Sequence, residues 1–148
     1  MVSDRDRGYR EMLARLDALG EYKITVGIHS EDGAGTYEDG KTVAEIAEAA
    51  EYGIGQPARP FLGPWADERG PEIVRRMREE TTAALRSKSS VAQRLDQLAQ
   101  VAAGEVQQRI ANGIPPPNAE STIRRKGSST PLINTGHLRS SIRGKVSG

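Results

Sequence analysis

The chain has 148 residues, a net charge of +1, 36% apolar residues and no cysteine. That length fits one domain with arms or a tail, and the missing cysteines exclude disulfide staples and thiolate-based metal or redox chemistry. No apolar run approaches the ~20 residues of a membrane span, and the charged start, Met1-Val2-Ser3-Asp4-Arg5-Asp6-Arg7, leads into no apolar stretch, so no signal peptide is expected.

Charge is unevenly spread. Residues 1–60 carry 7 Lys/Arg against 12 Asp/Glu, residues 61–120 carry 8 of each, and residues 121–148 carry 6 Lys/Arg and no acid. A basic end of this kind can neutralise nucleic-acid phosphates, meet the acidic part of a neighbouring subunit, or simply be solvated. Core-forming residues are few and small, which favours assembly with other copies or partners.

The first predicted element is an amphipathic helix over residues 4–19. Tyr9, Met12, Leu13, Leu16 and Leu19 recur at three- and four-residue spacing, Ser3 or Asp4 can cap its start, and Gly20 stops it. Residues 22–28 then alternate strictly, with Tyr22, Ile24, Val26 and Ile28 on one face, which predicts a strand. Residues 30–40 form a Gly- and acid-rich loop whose carboxylates lack the order of a calcium loop. Thr42 and Glu45 have capping-box spacing and predict a helix over 43–52 with Val43, Ile46, Ala47 and Ala50 inside.

Gly53 ends that helix, and Pro57 and Pro60 hold residues 55–60 extended. The only Phe (Phe61) and the only Trp (Trp65) follow, just before a helix over about 64–87 with Pro64 in its first turn. Its inner stripe is Ile73, Val74, Met77, Thr81, Ala84 and Leu85, and Gly70-Pro71 marks a point where it can kink. After the break at residues 87–90, a further helix over about 90–112 carries Val91, Leu95, Leu98, Ala102, Val106 and Ile110 on one face. Two long helices joined by a short polar turn predict an antiparallel hairpin. Residues 114–133 read as a long arm, first proline-rich and then basic. Asn134 or Thr135 is expected to cap a short turn, and Ile142 and Val146 mark a last strand that pairs beside residues 22–28.

No constellation in the chain points to catalysis. His29 and His137 lack a second His, a Cys or a carboxylate at helical ligand spacing, and no nucleophile elbow, phosphate loop or dinucleotide fingerprint occurs. The expectation is a non-enzyme with no cofactor and no metal.

Two segments stand out instead. Glu51-Tyr52-Gly53-Ile54-Gly55-Gln56-Pro57-Ala58-Arg59-Pro60-Phe61-Leu62 and Pro131-Leu132-Ile133-Asn134-Thr135-Gly136-His137-Leu138-Arg139-Ser140-Ser141-Ile142 both place rigid backbone beside a few apolar anchors. Prolines reduce the entropy lost on docking, and Arg59 is suited to bidentate pairing with a carboxylate. Phe61 and Trp65 read either as contact anchors or as plugs of the subunit's own core.

These segments resemble those of tailed-bacteriophage virion-morphogenesis proteins, the tail-completion or head–tail joining proteins of the neck. The resemblance is close over residues 51–64 and 131–142 and looser over 22–29 and 43–50. The two elements run here in the order opposite to that expected in many relatives, which leaves the station open among tail terminator, head-closure and collar protein. The resemblance implies a small α+β structural subunit of the virion, made in the host cytoplasm. It would form a ring, commonly of six copies, between portal or head-completion proteins and the tail tube or sheath.

The expected fold is a single α+β domain over residues 1–148, with a small antiparallel sheet packed against two long helices and arms at about 30–40 and 114–133. The expected interface residues are Arg59, Pro60, Phe61, Trp65, Thr135, Gly136 and Leu138. The alternative is a nucleic-acid-binding module using Arg124, Arg125 and Lys126, joined by Arg139, Arg143 and Lys145. In a ring the same cations would touch passing DNA only weakly. No membrane contact is expected.

Overall fold

The computed structural model describes residues 8–19, 22–32, 35–117, 119, 124 and 136–148. Along the chain these form α1 (Tyr9–Leu19), β1 (Lys23–Gly27), a 3-10 turn (Ser30–Asp32), α2 (Val43–Tyr52), α3 (Gly63–Ser87), α4 (Val91–Ala111), α5 (His137–Ser141) and β2 (Arg143–Ser147). The fold is α+β, a two-stranded antiparallel sheet set against long helices.

The two strands pair in the register Ile24 opposite Val146 and Val26 opposite Gly144. Alternation therefore turns Ile24 and Val26 toward the core, where Ile28 also packs. The centre of the fold is α4, which touches the sheet and α3. Its stripe of Leu95, Leu98, Ala99, Ala102, Ala103, Val106 and Ile110 is buried. Small side chains in that stripe allow close approach. A Cβ on Gly144 would overlap the Ala99 carbonyl oxygen, so only glycine lets β2 lie this near α4. Two side chains of α4 then hold backbone carbonyls at β2: Gln100 Nε2 donates to Gly144 O at 3.1 Å and Gln107 Nε2 to Ile142 O at 2.9 Å.

Helices α3 and α4 run antiparallel, as their cross-pairs require. Glu80 meets Arg94 near the connecting turn, Arg69 meets Glu105 farther along, and Glu68 meets Arg109. Lys88 makes the turn in the left-handed region at φ 54°, and Ser90 Oγ accepts from Gln93 N to start α4. Helix α3 runs unbroken through Gly70-Pro71. Asp67 and Pro71 both lie on its exposed side, so the carbonyl that loses its helical donor at Pro71 faces water.

Several details differ from the sequence reading. Tyr9 and Leu13 of α1, expected on its inner stripe, are exposed, and among the described residues α1 contacts α3. Val74 is exposed as well, one position off the buried line through Ile73 and Ala84. Within the described part of the 30–40 loop, Tyr37 N donates to Lys41 O at 2.8 Å and Thr36 bridges Thr42. The N-cap of α5 is Gly136, at φ 76°, rather than Asn134 or Thr135. Asn134 and Thr135 themselves, the helix start at residues 4–7, and most of the 114–133 arm lie outside the described residues.

A candidate docking site where two sequence motifs meet

Helix α2 begins with the predicted capping box. Thr42 Oγ1 accepts from Glu45 N at 3.2 Å, and Glu45 Oε2 accepts from Thr42 N at 2.7 Å. These bonds hold the Glu45 carboxyl below its ordinary pKa, the Thr42 backbone bond contributing most. The helix ends on Gly53 in the left-handed conformation, with φ 74°.

The last turn of α2 organises the start of α3. Glu51 Oε2 accepts from Phe61 N at 2.8 Å and Leu62 N at 3.1 Å, and Glu51 Oε1 accepts from Gly63 N at 2.7 Å. Leu62, the N-cap of α3, offers no side-chain cap. One carboxylate therefore satisfies three open N–H groups at a helix start, where the helix dipole also favours negative charge. No residue pattern signals this role, since Glu51 shares its helix with the solvated Glu45 and Glu48.

Arg59 is 7% exposed, and its guanidinium bonds within the subunit. Its Nε donates to Pro116 O at 2.7 Å and its Nη2 to Pro117 O at 3.3 Å, while Arg59 N donates to Ala50 O at 2.7 Å. The guanidinium fork fastens the proline-rich start of the 114–133 arm to the end of α2. Pro60 is half-buried, and Phe61 and Trp65 are buried in the core. Trp65 Nε1 donates to Glu105 Oε2 at 3.0 Å, and Arg69 holds the same carboxylate through Nε at 3.1 Å and Nη2 at 2.8 Å. Arg69 above all keeps the Glu105 carboxyl below its usual range.

The second motif comes to the same place. Leu138 and Ile142 are buried in one cluster with Val43, Ala47, Ala50 and Phe61. The His137 ring packs against Tyr37 at 5.6 Å, and burial pushes the Tyr37 hydroxyl above its ordinary pKa. Gly136 is half-buried and Thr135 lies outside the described residues. Of the expected interface set, Arg59, Phe61, Trp65 and Leu138 are thus spent inside the subunit. They leave on the surface the exposed part of the first motif, Tyr52 at 74% and Ile54 at 59%. Sequence reading misses both as contact residues. The signal lies in Gly53 and Gly55, whose left-handed backbones at φ 74° and 67° turn the chain on either side of Ile54.

Beside Tyr52 runs a groove of about 200 Å³. Gly27, Ile28, Ala44, Ala47, Phe61, Leu62 and Ile142 give it apolar walls, and Glu48, Glu51 and Tyr52 stand along it. Glu51 is committed to the α3 backbone, whereas Glu48 is exposed and makes no ion pair among the described residues.

A second polar cluster joins the sheet to the 3-10 turn. Thr25 Oγ1 lies 3.0 Å from His29 Nε2, Asp32 Oδ2 lies 3.6 Å from His29 Nδ1, and Lys145 Nζ lies 2.6 Å from Asp32 Oδ1 and 3.1 Å from Glu31 Oε1. His29 therefore does have a carboxylate beside it, delivered by a 3-10 turn within the acid-rich loop. The hydrogen bond to Asp32 most strongly raises the Lys145 pKa. Lys145 spans β2 and the turn, so the cluster serves as a clamp. It also removes Lys145 from the expected cationic set, and Arg143 is turned onto the Ser140 and Ile142 carbonyls. Arg124 and Arg139 are exposed, while Arg125 and Lys126 lie outside the described residues.

Among the described residues no group of three or more His, Asp or Glu side chains is placed to hold a metal ion. Nor is any described helix long and apolar enough to cross a membrane. Protein-family models, curated proteins and solved structures give no match to this chain.

Proposed function

We propose that this chain is a structural virion protein, a ring-forming subunit at the head–tail junction of a tailed bacteriophage. It would join portal or head-completion proteins to the tail. The observation that carries the proposal is the meeting of the two motifs. Residues 51–62 and 136–142 lie far apart in sequence, yet Phe61, Leu138 and Ile142 share one buried cluster around α2. On its outer side, the same α2 end presents Tyr52 and Ile54 to solvent.

A subunit that spends its motif residues on holding such a surface is built to be joined to others. Tyrosine and aliphatic side chains in a rigid setting supply contact area at little entropic cost. Tyr9 and Leu13 of α1 are a further exposed apolar pair. Of the cations in the nucleic-acid alternative, Lys145 and Arg143 are tied within the subunit.

Native mass spectrometry of the purified protein and of the protein extracted from virions tests the proposal. Closed oligomers of one defined copy number are expected. A chain that stays monomeric from both sources, with no ring in the particle, overturns it.

A further inference from the structure

The groove beside Tyr52 is smaller than the ~300–1,000 Å³ typical of small-molecule sites, and its apolar walls suit one aliphatic side chain rather than a polar metabolite. Its mouth has a distinct chemistry. Glu48 and Tyr52 are four residues apart on α2, so they stand on one helix face, and both are exposed. An exposed carboxylate beside an exposed phenol ring receives a cation through an ion pair and a cation–π contact. The fitting ligand is therefore an aliphatic residue followed directly by positive charge.

The segment Thr122-Ile123-Arg124-Arg125-Lys126-Gly127 has that pattern with three consecutive cations, Glu120 being its nearest acid, whereas pairs such as Leu85-Arg86, Leu138-Arg139 and Ile142-Arg143 lie within α3, within α5 and at the start of β2. The other cations of residues 121–148 are Arg139, in α5, and Arg143 and Lys145, in β2. Arg59 fixes the base of the arm at Pro116 and Pro117. Six further residues at up to 3.6 Å each give Ile123 a reach of roughly 20 Å from that anchor.

We infer that the groove of one subunit takes the basic arm of a second copy, Ile123 entering between α2 and Phe61 and Arg124 or Arg125 meeting Glu48 and Tyr52. The inference rests on the ring-subunit reading and names the contact that would link neighbouring copies. It also accounts for the charge gradient, since the acidic α2 surface of one subunit would meet the basic arm of the next.

Because the native chain has no cysteine, disulfide trapping gives a clean test. Copies carrying Glu48→Cys are mixed with copies carrying Ile123→Cys under mild oxidation. A third set carries Thr82→Cys, an exposed position on α3, as the control partner for Ile123→Cys. The mixed Glu48→Cys/Ile123→Cys disulfide is expected to form at least about tenfold faster than the control. Placing Glu48→Lys in a Tyr52→Cys copy should slow trapping by Ile123→Cys, and Arg124→Glu with Arg125→Glu in the arm should restore it. Equal rates with the Thr82→Cys control overturn the inference. So does a double variant that closes only within its own chain. Rings that form in native mass spectrometry without this cross-link sink the arm contact and leave the ring reading standing. Copies that remain monomeric sink both.

Discussion

Glu51 holds the backbone of Gly63 at 2.7 Å across twelve residues of chain, and a Cβ on Gly63 would come within 2.9 Å of the same Glu51 oxygen. The pair closes the start of α3 and fixes the path of Phe61 and Leu62 on the way. Charged hydrogen bonds to helix-terminal N–H groups each contribute more than neutral ones, but water can replace part of what is lost at a half-exposed site. Glu51→Ala should therefore destabilise the fold by about 2 kcal/mol in urea titration, with Glu51→Gln near half that loss. An unchanged midpoint in Glu51→Ala would show that the three bonds contribute nothing net.

The contact between Gly144 and Ala99 predicts a larger effect from a smaller change. Gly144→Ala must either push β2 off α4 or distort α4, and both cost packing around Leu98 and Ala102. A loss of roughly 3 kcal/mol is expected in thermal or urea unfolding. Gly104→Ala, on the exposed side of the same helix with open space around its Cα, should be neutral or stabilising.

For Arg59, the expected result is loosening of the arm's base. Arg59→Ala should cost about 2 kcal/mol and speed amide hydrogen exchange at Gly113 and Ile114, which lead into the proline run. Arg59→Lys should not restore protection, because a single ammonium cannot reproduce the fork onto the Pro116 and Pro117 carbonyls. Equal exchange rates at Gly113 and Ile114 in wild type and Arg59→Ala would contradict this role.

Much of the scaffold is legible in the sequence because its signals are local. Alternation at residues 22–28 and at Ile142 and Val146 announces both strands, and Thr42 with Glu45 announces the capping box that the structure contains. The residues that shape the candidate site are hidden for a physical reason. Arg59, Glu51, Gln100 and Gln107 bond to backbone atoms, and backbone acceptors and donors leave no residue signature. Arg59 thus reads as a contact residue although its partners lie 57 and 58 positions away. Tyr52 and Ile54 escape notice because apolar residues beside a helix end usually turn inward, whereas Gly53 and Gly55 turn this piece outward.

Glu105 provides a pH signature with its own reporter. Its carboxyl is held below the ordinary glutamate range chiefly by the Arg69 hydrogen bonds, while the unfolded chain titrates near the ordinary value of about 4.3. A depressed folded pKa means the stabilisation is fully present above that ordinary value and is lost as pH falls through the folded value. Trp65 donates to the same carboxylate and is the chain's only tryptophan, so its fluorescence should shift in this acid window before global unfolding. Glu105→Gln should abolish the shift. A fluorescence titration unchanged by that substitution would contradict the assignment.

The exposed pair offers a way to test the proposed assembly apart from folding. Tyr52→Ser and Ile54→Ser should leave stability within about 0.5 kcal/mol of wild type, since neither side chain is packed. Self-association should nevertheless weaken at least tenfold, equivalent to about 1.4 kcal/mol, in sedimentation at varied concentration. Loss of folding together with association would mean that these residues serve the core.

The most direct measurement is the position of this chain in an intact phage particle imaged by electron microscopy, with the subunit tagged for location. A closed ring of identical copies between head and tail is expected, with Tyr52 and Ile54 at the boundary between subunits. A particle whose neck lacks the chain, or that carries it only as isolated copies elsewhere, would contradict a role at the head–tail junction.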